Sequence, residues 1–240
     1  MIHYAAPDAR PAGFALALEQ VVLERASESA FWLWRDEPAV VLGRHQDAAA
    51  EADLAEAARR GVPVFRRKTG GGAVFHDLGT VQFSFVVPAA TPVRRVLASF
   101  VALLGASAFA TDRNDVLAPD GRKIAGTAQM LSGSRRLFHG TLLWDADLGA
   151  LARLLTPPEA KLRRHGVPSV RSRVANLRDL LGSPFFTDEF FARLRLRASR
   201  SWAGPLRPVP APWLAEAESL ARTPPFLPIP SNLHPPLFKP

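Results

Sequence analysis

The chain contains no cysteine among its 240 residues. That absence removes a disulfide framework, a thiolate metal site and any thiol nucleophile. No apolar run approaches the roughly 18 residues that a membrane helix requires, and the N-terminus has neither the charged nor the apolar region of a signal peptide. A cytoplasmic protein with no membrane partner is expected. Lysine is scarce too: Lys68, Lys123, Lys161 and Lys239 are the four lysines among 30 basic residues. In a chain that defaults to arginine each lysine calls for a chemical reason, because an ammonium is a compact point charge on a flexible stem and a guanidinium a broad planar fork.

What is present suits a globular protein large enough to bury a core, with 48% hydrophobic and 22% charged residues. The net charge of +8 favours acidic partners. Yet the arginines are spread in pairs along the chain (Arg59 and Arg60, Arg94 and Arg95, Arg135 and Arg136) with no recognition motif attached. Nucleic acid is therefore not expected as a partner.

Helical and strand patterns alternate. Residues 14–26 place Phe14, Leu18, Val21 and Val22 at helical spacing with Glu19, Gln20, Glu24 and Arg25 elsewhere, an amphipathic helix. Residues 31–35 and 39–42 flank a proline and suggest a hairpin ending at Gly43. The alanine-rich stretch 48–60, stopped by Gly61, reads as one helix. Strands are expected over 62–66 and 81–87, the second with Val81, Phe83, Phe85 and Val87 on one face. Then follow a helix over 93–104, paired strands over 116–117 and 122–130 around Pro119-Asp120-Gly121, a strand over 137–144 and a helix over 148–155 that ends at Pro157-Pro158. Thr187, followed by Asp188 and Glu189, is expected to cap a helix running toward Ala198. Eleven of the 22 prolines fall from Pro205 onward. They leave room for a short helix near 213–222, with Phe226, Leu227, Leu237 and Phe238 holding the tail to the body.

Two glycine-containing stretches carry the chemistry: Arg66-Arg67-Lys68-Thr69-Gly70-Gly71-Gly72-Ala73-Val74-Phe75-His76-Asp77, and Gly121-Arg122-Lys123-Ile124-Ala125-Gly126-Thr127-Ala128-Gln129. Three successive glycines remove every Cβ from a turn, so backbone N–H groups can close on a phosphate, with cationic side chains beside them. Read singly, each feature has a plainer meaning. A glycine triplet is a flexible turn, His76 and His139 are satisfied core histidines without metal-ligand spacing, and Asn114-Asp115 starts a turn. Neither glycine-rich nucleotide fingerprint is present. Ser84 and Thr69 have no attached base motif, so a hydroxyl nucleophile is not expected.

Taken jointly, the segments resemble the lipoate-protein ligase family within the wider biotin and lipoate ligase group. The resemblance runs from about residue 19 to about residue 181. It rests on Gly43-Arg44-His45-Gln46, the 66–77 motif, Asn114-Asp115, Gly121 to Ala128, His139-Gly140-Thr141-Leu142-Leu143 and Ser169-Val170-Arg171-Ser172-Arg173-Val174-Ala175-Asn176-Leu177. Four departures are noted: Thr80, Asp47 and Thr127 stand where the family has asparagine, asparagine and serine, and Phe138 replaces the first of two histidines.

The resemblance implies an α+β fold, a mixed and largely antiparallel β-sheet packed with helices, with a catalytic domain at 1–202 and a proline-rich extension at 203–240. It implies ATP-dependent activation of lipoate as lipoyl-AMP and transfer to a lysine of lipoyl domains, those of 2-oxoacid dehydrogenase E2 subunits and the glycine cleavage H protein. A lipoyltransferase using preformed lipoyl-AMP and a non-catalytic lipoyl-domain-binding protein are the alternatives. Lys123 is the implied catalytic residue, bridging carboxylate and α-phosphate. Arg67, Thr69, Gly70, Gly71, Gly72, Ala73, Val74 and Phe75 would bind ATP and lipoyl-AMP, Arg67 through phosphate oxygens. His76 and His139 would line the lipoate pocket, with Leu18, Val74, Phe75, Leu142 or Leu143 as its apolar wall, and Asp115 would position Mg²⁺ through ATP. Many relatives carry a further small C-terminal domain, so a separate accessory subunit is a further expected partner. Relatives that pass the acyl group through a cysteine thioester are excluded by the absence of cysteine.

Overall fold

The alternation in residues 81–87 anchors the architecture, because a strand buried on both faces must be central to its sheet. The computed structural model describes residues 1–105, 108–111, 114–155 and 173–230. Pro157-Pro158, Lys161, Ser169 to Ser172, Leu237, Phe238 and Lys239 lie outside the described residues. In chain order the elements are β1 (Ile2–Ala5), α1 (Ala12–Arg25), β2 (Ala30–Trp34), β3 (Ala39–Leu42), α2 (Ala48–Glu51), α3 (Leu54–Arg59), β4 (Val64–Arg66), β5 (Val74–His76), β6 (Thr80–Pro88), α4 (Val93–Leu104), β7 (Phe109–Ala110), β8 (Val116–Leu117), β9 (Lys123–Ser132), β10 (Arg135–Leu143), α5 (Leu148–Leu154), α6 (Leu177–Leu181), α7 (Thr187–Ala198), β11 (Leu206–Pro208) and α8 (Ala211–Leu220).

Among the described residues eight strands form one sheet in the order β11-β1-β2-β6-β10-β9-β8-β7, and three form a second in the order β4-β3-β5. The fold is α+β and mostly antiparallel, with parallel pairing at β11/β1, β1/β2 and β3/β4. Helix α1 covers one face of the large sheet through a core that includes Leu18, Val22, Trp32 and Trp34. On the opposite face α4 and α7 pack over Phe31, Leu33, Phe83 and Phe85. Trp32 and Phe31, adjacent in β2, thus enter different cores, as the two-residue period of a strand demands.

Four expectations are corrected. Strands β2 and β3 do not form a hairpin: they lie in different sheets, and residues 35–38 carry the chain across. Arg35 fixes that crossing through ion pairs to Asp8 (2.5 Å) and Asp188 (2.6 Å). The helix expected over 48–60 is broken at extended Ala52 and restarts where the Asp53 carboxylate accepts from Glu56 N (2.9 Å), a local cap that outcompetes continuation. Glu19 does not belong to a polar helix face but is 2% exposed. Thr187 is buried within the first turn of α7, and the cap position belongs to Phe186.

The segment after residue 203 adds β11 to the edge of the large sheet, and α8 packs against α1 through Ala217. Phe226 is buried in the same core, while Leu227 is exposed.

Candidate active site

Two rungs of the large sheet build a floor. Trp34, Gln82, Thr141 and Gly126 are register partners across β2, β6, β10 and β9, and two residues along Trp32, Ser84, His139 and Ala128 are partners in the same way. Residues two apart on a strand share a face, so His139 and Thr141 rise side by side. The small sheet and its glycine loop close over them. Together they border a first lobe with a cavity volume of about 120 Å³, lined by Leu16, Trp34, Arg67, His76, Gln82 and His139 among others. A second lobe, of about 380 Å³, lies beside Ala73, Val74, Phe75, Leu143, Leu151 and Val174. Lys123, Gly126 and Thr141 line both.

Lys123 opens β9, and its backbone is clamped on both sides of the peptide: its N–H donates to Arg173 O (2.8 Å) and its carbonyl accepts from Ala175 N (3.1 Å). The Asn176 side chain then locks onto both the N–H and the carbonyl of Ala146 (3.0 and 2.9 Å). The backbone of residues 173–175 therefore positions the lysine. A Cβ on Gly126 would stand 3.3 and 3.4 Å from Cε and Nζ of Lys123, so the glycine makes the space over which the ammonium lies.

Each histidine joins a carboxylate to a threonine. His139 Nδ1 faces Glu19 (2.8 and 2.9 Å) and its Nε2 faces Thr69 Oγ1 (2.8 Å). Ser84 also donates to Glu19 (2.6 Å) and accepts from Trp34 Nε1 (2.8 Å), so the buried carboxylate is well satisfied. His76 Nδ1 faces Asp36 Oδ2 and its Nε2 faces Thr141 Oγ1, both at 2.8 Å. A carboxylate accepts only, so each Nδ1 donates to its carboxylate, and each Nε2 shares a hydrogen bond with its threonine hydroxyl. Burial pushes the Asp36 carboxyl up to about 6, with the His76 contact pulling it back. Asp36 is 0% exposed, and its Oδ1 has no hydrogen-bond partner.

The arginines of the glycine motif donate to backbone carbonyls of the motif and of the neighbouring 41–46 segment. Arg67 donates through Nε to Thr69 Oγ1 (2.9 Å), through Nη1 to Val41 O (3.1 Å) and through Nη2 to Gly70 O and Gly72 O (both 2.7 Å). Burial lowers its guanidinium to about 10, still charged at neutral pH. Arg66 likewise donates to Gly43 O (3.0 Å) and Gln46 O (2.6 Å). Lys68 turns away, its ammonium 5.3 Å from the Phe226 ring centroid. Gly71 has φ +91°, whereas Gly70 and Gly72 have open space where a Cβ would sit. Asp77 accepts from Gly79 N (2.9 Å) and Asp147 N (2.8 Å), tying the end of the motif to the start of α5.

Of the residues singled out from the sequence, Arg67, Gly72, Ala73, Val74, Phe75, His76, Lys123 and His139 converge on the two lobes. Thr69 stands behind His139, Gly70 and Gly71 form the back of the loop, and Asp115 pairs with Lys123 at 2.8 Å. Leu18 and Leu142 lie in the cores instead, and Leu16 takes the wall position. Phe138 is buried in the core, while Thr127 donates to Asn114 O (2.7 Å) and Asp47 caps α2. Sequence reasoning missed Glu19, Trp34, Asp36, Gln82 and Thr141. A carboxylate amid the apolar run of α1 was one available signal, and His139-x-Thr141 at strand spacing was another. Among the described residues no cluster of three acidic, histidine or cysteine side chains stands ready to hold a metal.

The profile of the lipoyl protein ligase A/B catalytic domain matches residues 11–197. The chain belongs to that family. Solved structures agree on the fold. A bi-partite lipoate protein ligase of Thermoplasma acidophilum, studied with its E2 lipoyl domain, is 27% identical, with a TM-score of 0.72 over 92% of this chain and 89% of that one. A lipoate-protein ligase A bound with ATP is 24% identical, with a TM-score of 0.72 over 92% of each chain. A P. falciparum protein in complex with lipoate is 22% identical, with a TM-score of 0.71 over 94% of this chain and 68% of that one.

Proposed function

We propose that this ligase activates lipoate with ATP as lipoyl-AMP and transfers the lipoyl group to a lysine of a lipoyl domain. The observation that carries the reading is the position of Lys123, the cation common to a histidine-lined lobe and a larger lobe under the 73–75 backbone. The first lobe takes the acyl chain and the second the nucleotide, so carboxylate and α-phosphate meet at the lysine. Both are anions, and their approach requires a positive charge that strengthens its hold as the new bond forms. The carboxylate oxygen attacks the α-phosphorus and pyrophosphate leaves. A lysine amine then attacks the acyl carbon of the mixed anhydride and AMP leaves, with no enzyme nucleophile required.

Arg67 shapes the loop that contacts the nucleotide, and His76 and His139 hold the wall of the acyl lobe. Asp115 suits a magnesium ion that arrives with the nucleotide, since one carboxylate plus phosphate oxygens is an ordinary magnesium set. In that role the ion would offset phosphate charge. Lipoyl domains of 2-oxoacid dehydrogenase E2 subunits and the glycine cleavage H protein are the proposed acceptors. The E2 lipoyl domain of the T. acidophilum system supports the first, and its bi-partite ligase supports a separate accessory subunit.

The test incubates purified protein with ATP, Mg²⁺ and lipoate and measures pyrophosphate release, then adds a lipoyl domain and measures its mass. Pyrophosphate release followed by lipoylation is expected. Lipoylation from supplied lipoyl-AMP without pyrophosphate release, even with cell extract added, would leave a lipoyltransferase. Binding of the domain with neither reaction would leave a non-catalytic binder.

A further inference from the structure

Acyl transfer to a lysine poses a proton problem that the cation at the junction does not solve. An acceptor lysine is an ammonium at neutral pH, with about one part in a thousand present as free amine. The Lys123 ammonium is already held by Asp115 at 2.8 Å and accepts no further proton. A group beside the junction must take the proton.

Thr141 stands there. It lines both lobes with Lys123, and it is the register partner of Gly126, the residue over which the Lys123 ammonium lies. Behind it the path is continuous and buried: Thr141 Oγ1 to His76 Nε2 at 2.8 Å, and His76 Nδ1 to Asp36 Oδ2 at 2.8 Å, with His76 4% and Asp36 0% exposed. Trp34 packs edge-on against the His76 ring and holds its plane. The second chain, through His139 and Glu19, ends instead on Thr69, which already accepts from Arg67 and lines neither lobe.

We infer that Thr141, His76 and Asp36 form a proton relay that deprotonates the acceptor lysine in the transfer half-reaction, a role that rests on the ligase reading above. The acceptor N–H bond breaks toward Thr141 Oγ as the threonine's own proton passes to His76 Nε2. The freed electron pair forms the bond to the acyl carbon. The carbon–oxygen bond to phosphate breaks, AMP leaves with that electron pair, and the second proton of the nitrogen goes to the departing phosphate. Asp36 touches no substrate; it stabilises the imidazolium and fixes the ring tautomer. After product leaves, Thr141 Oγ releases the proton it took from the lysine into the lobe and takes back its own from His76 Nε2, which restores the relay.

The experiment compares two acceptors of supplied lipoyl-AMP in single-turnover reactions: a lipoyl-domain lysine, and hydroxylamine, which is unprotonated at neutral pH and needs no base. The readout is the ratio of the two rates, which a change in lipoyl-AMP binding alone does not move. Asp36→Asn should lower the lysine-to-hydroxylamine ratio at least tenfold and His76→Gln about a hundredfold, the scale on which a general base contributes. Thr141→Ser should keep the wild-type ratio and Thr141→Val should lose it, and this pair decides the matter should either buried variant fail to fold. An unchanged ratio in His76→Gln or Thr141→Val overturns the relay and leaves the ligase reading intact. Wild-type protein that reacts with neither acceptor overturns the ligase reading and the relay with it.

Discussion

Asp115 Oδ1 lies 2.8 Å from Lys123 Nζ, and both side chains remain about a quarter exposed, so the pair can exchange partners as anionic ligands arrive. The aspartate holds the lysine at the junction of the lobes, and on the proposed reading phosphate and carboxylate would compete for it. Lys123→Ala and Lys123→Arg should each lower pyrophosphate release at least a hundredfold, since such a charge contact is worth about 3 kcal/mol. The arginine fails because a planar fork does not fit the narrow space over Gly126. Near wild-type release by Lys123→Arg would refute this role.

Arg67 offers a second test. Its donors are committed to Val41, Gly70 and Gly72 carbonyls, so Arg67→Lys leaves buried acceptors unsatisfied and should destabilise the fold by about 2 kcal/mol or more. A melting temperature lower by roughly 4 to 8 °C is expected. Weakened ATP binding at an unchanged melting temperature would instead make Arg67 a phosphate clamp.

The glycine loop separates backbone strain from ligand clearance. Gly71 sits at φ +91°, where any side chain is strained, so Gly71→Val should lower both stability and nucleotide affinity. Gly72 has an ordinary φ and open space, so Gly72→Val should melt within about 2 °C of wild type yet bind ATP at least tenfold more weakly. Calorimetric binding beside thermal melts decides this, and unchanged affinity in Gly72→Val would mean the glycine serves the turn alone.

Stability should depend on pH through Asp36. Its folded-state value is raised to about 6, so between roughly pH 4 and 6 the folded state binds the proton more tightly than the unfolded chain. Stability from this group is therefore present below the unfolded value and lost as pH rises through 6. Asparagine carries no such cost. The melting temperature of Asp36→Asn relative to wild type should rise by a few degrees from pH 4 to pH 7.5, and a difference that stays flat with pH would show that the carboxylate is not held against its preference.

With a net charge of +8, the protein should attract an acidic acceptor domain before contact, if it acts as proposed. Transfer from lipoyl-AMP should slow as salt is raised past physiological strength, where screening shortens the reach to about 8 Å. A salt-independent second-order rate would remove the electrostatic argument.

Much of this was legible in the chain because some residue types announce their reason. The apolar spacing of 93–104 returned α4 with the same bounds, and β6 kept its Val81, Phe83, Phe85 and Val87 face. A lysine between glycines and a glycine triplet pointed to the site. Asp36 was not legible, because its meaning lies in a histidine 40 residues away; Glu19 stood out in its apolar run, but its partner, a histidine 120 residues away, did not. A sequence counts the charges on Arg66 and Arg67 but does not say that carbonyls consume them. The expected hairpin failed for the same reason: β2 finds its partners in β1 and β6, β3 in β4 and β5, and nothing local records that choice.

Gly13 in α1 admits the backbone of Phe226, for a Cβ there would stand 2.4 Å from the Phe226 carbonyl oxygen. Three residues on, Ile229 N donates to Val64 O (2.7 Å) in the strand that leads into the glycine loop. This segment thus acts as a stitch between the helix that supplies Glu19 and the sheet that carries Arg67. A protease cut or affinity tag placed just before Phe226 would loosen the wall of the first lobe from behind, whereas a tag on Met1, which is 47% exposed, leaves that seam closed.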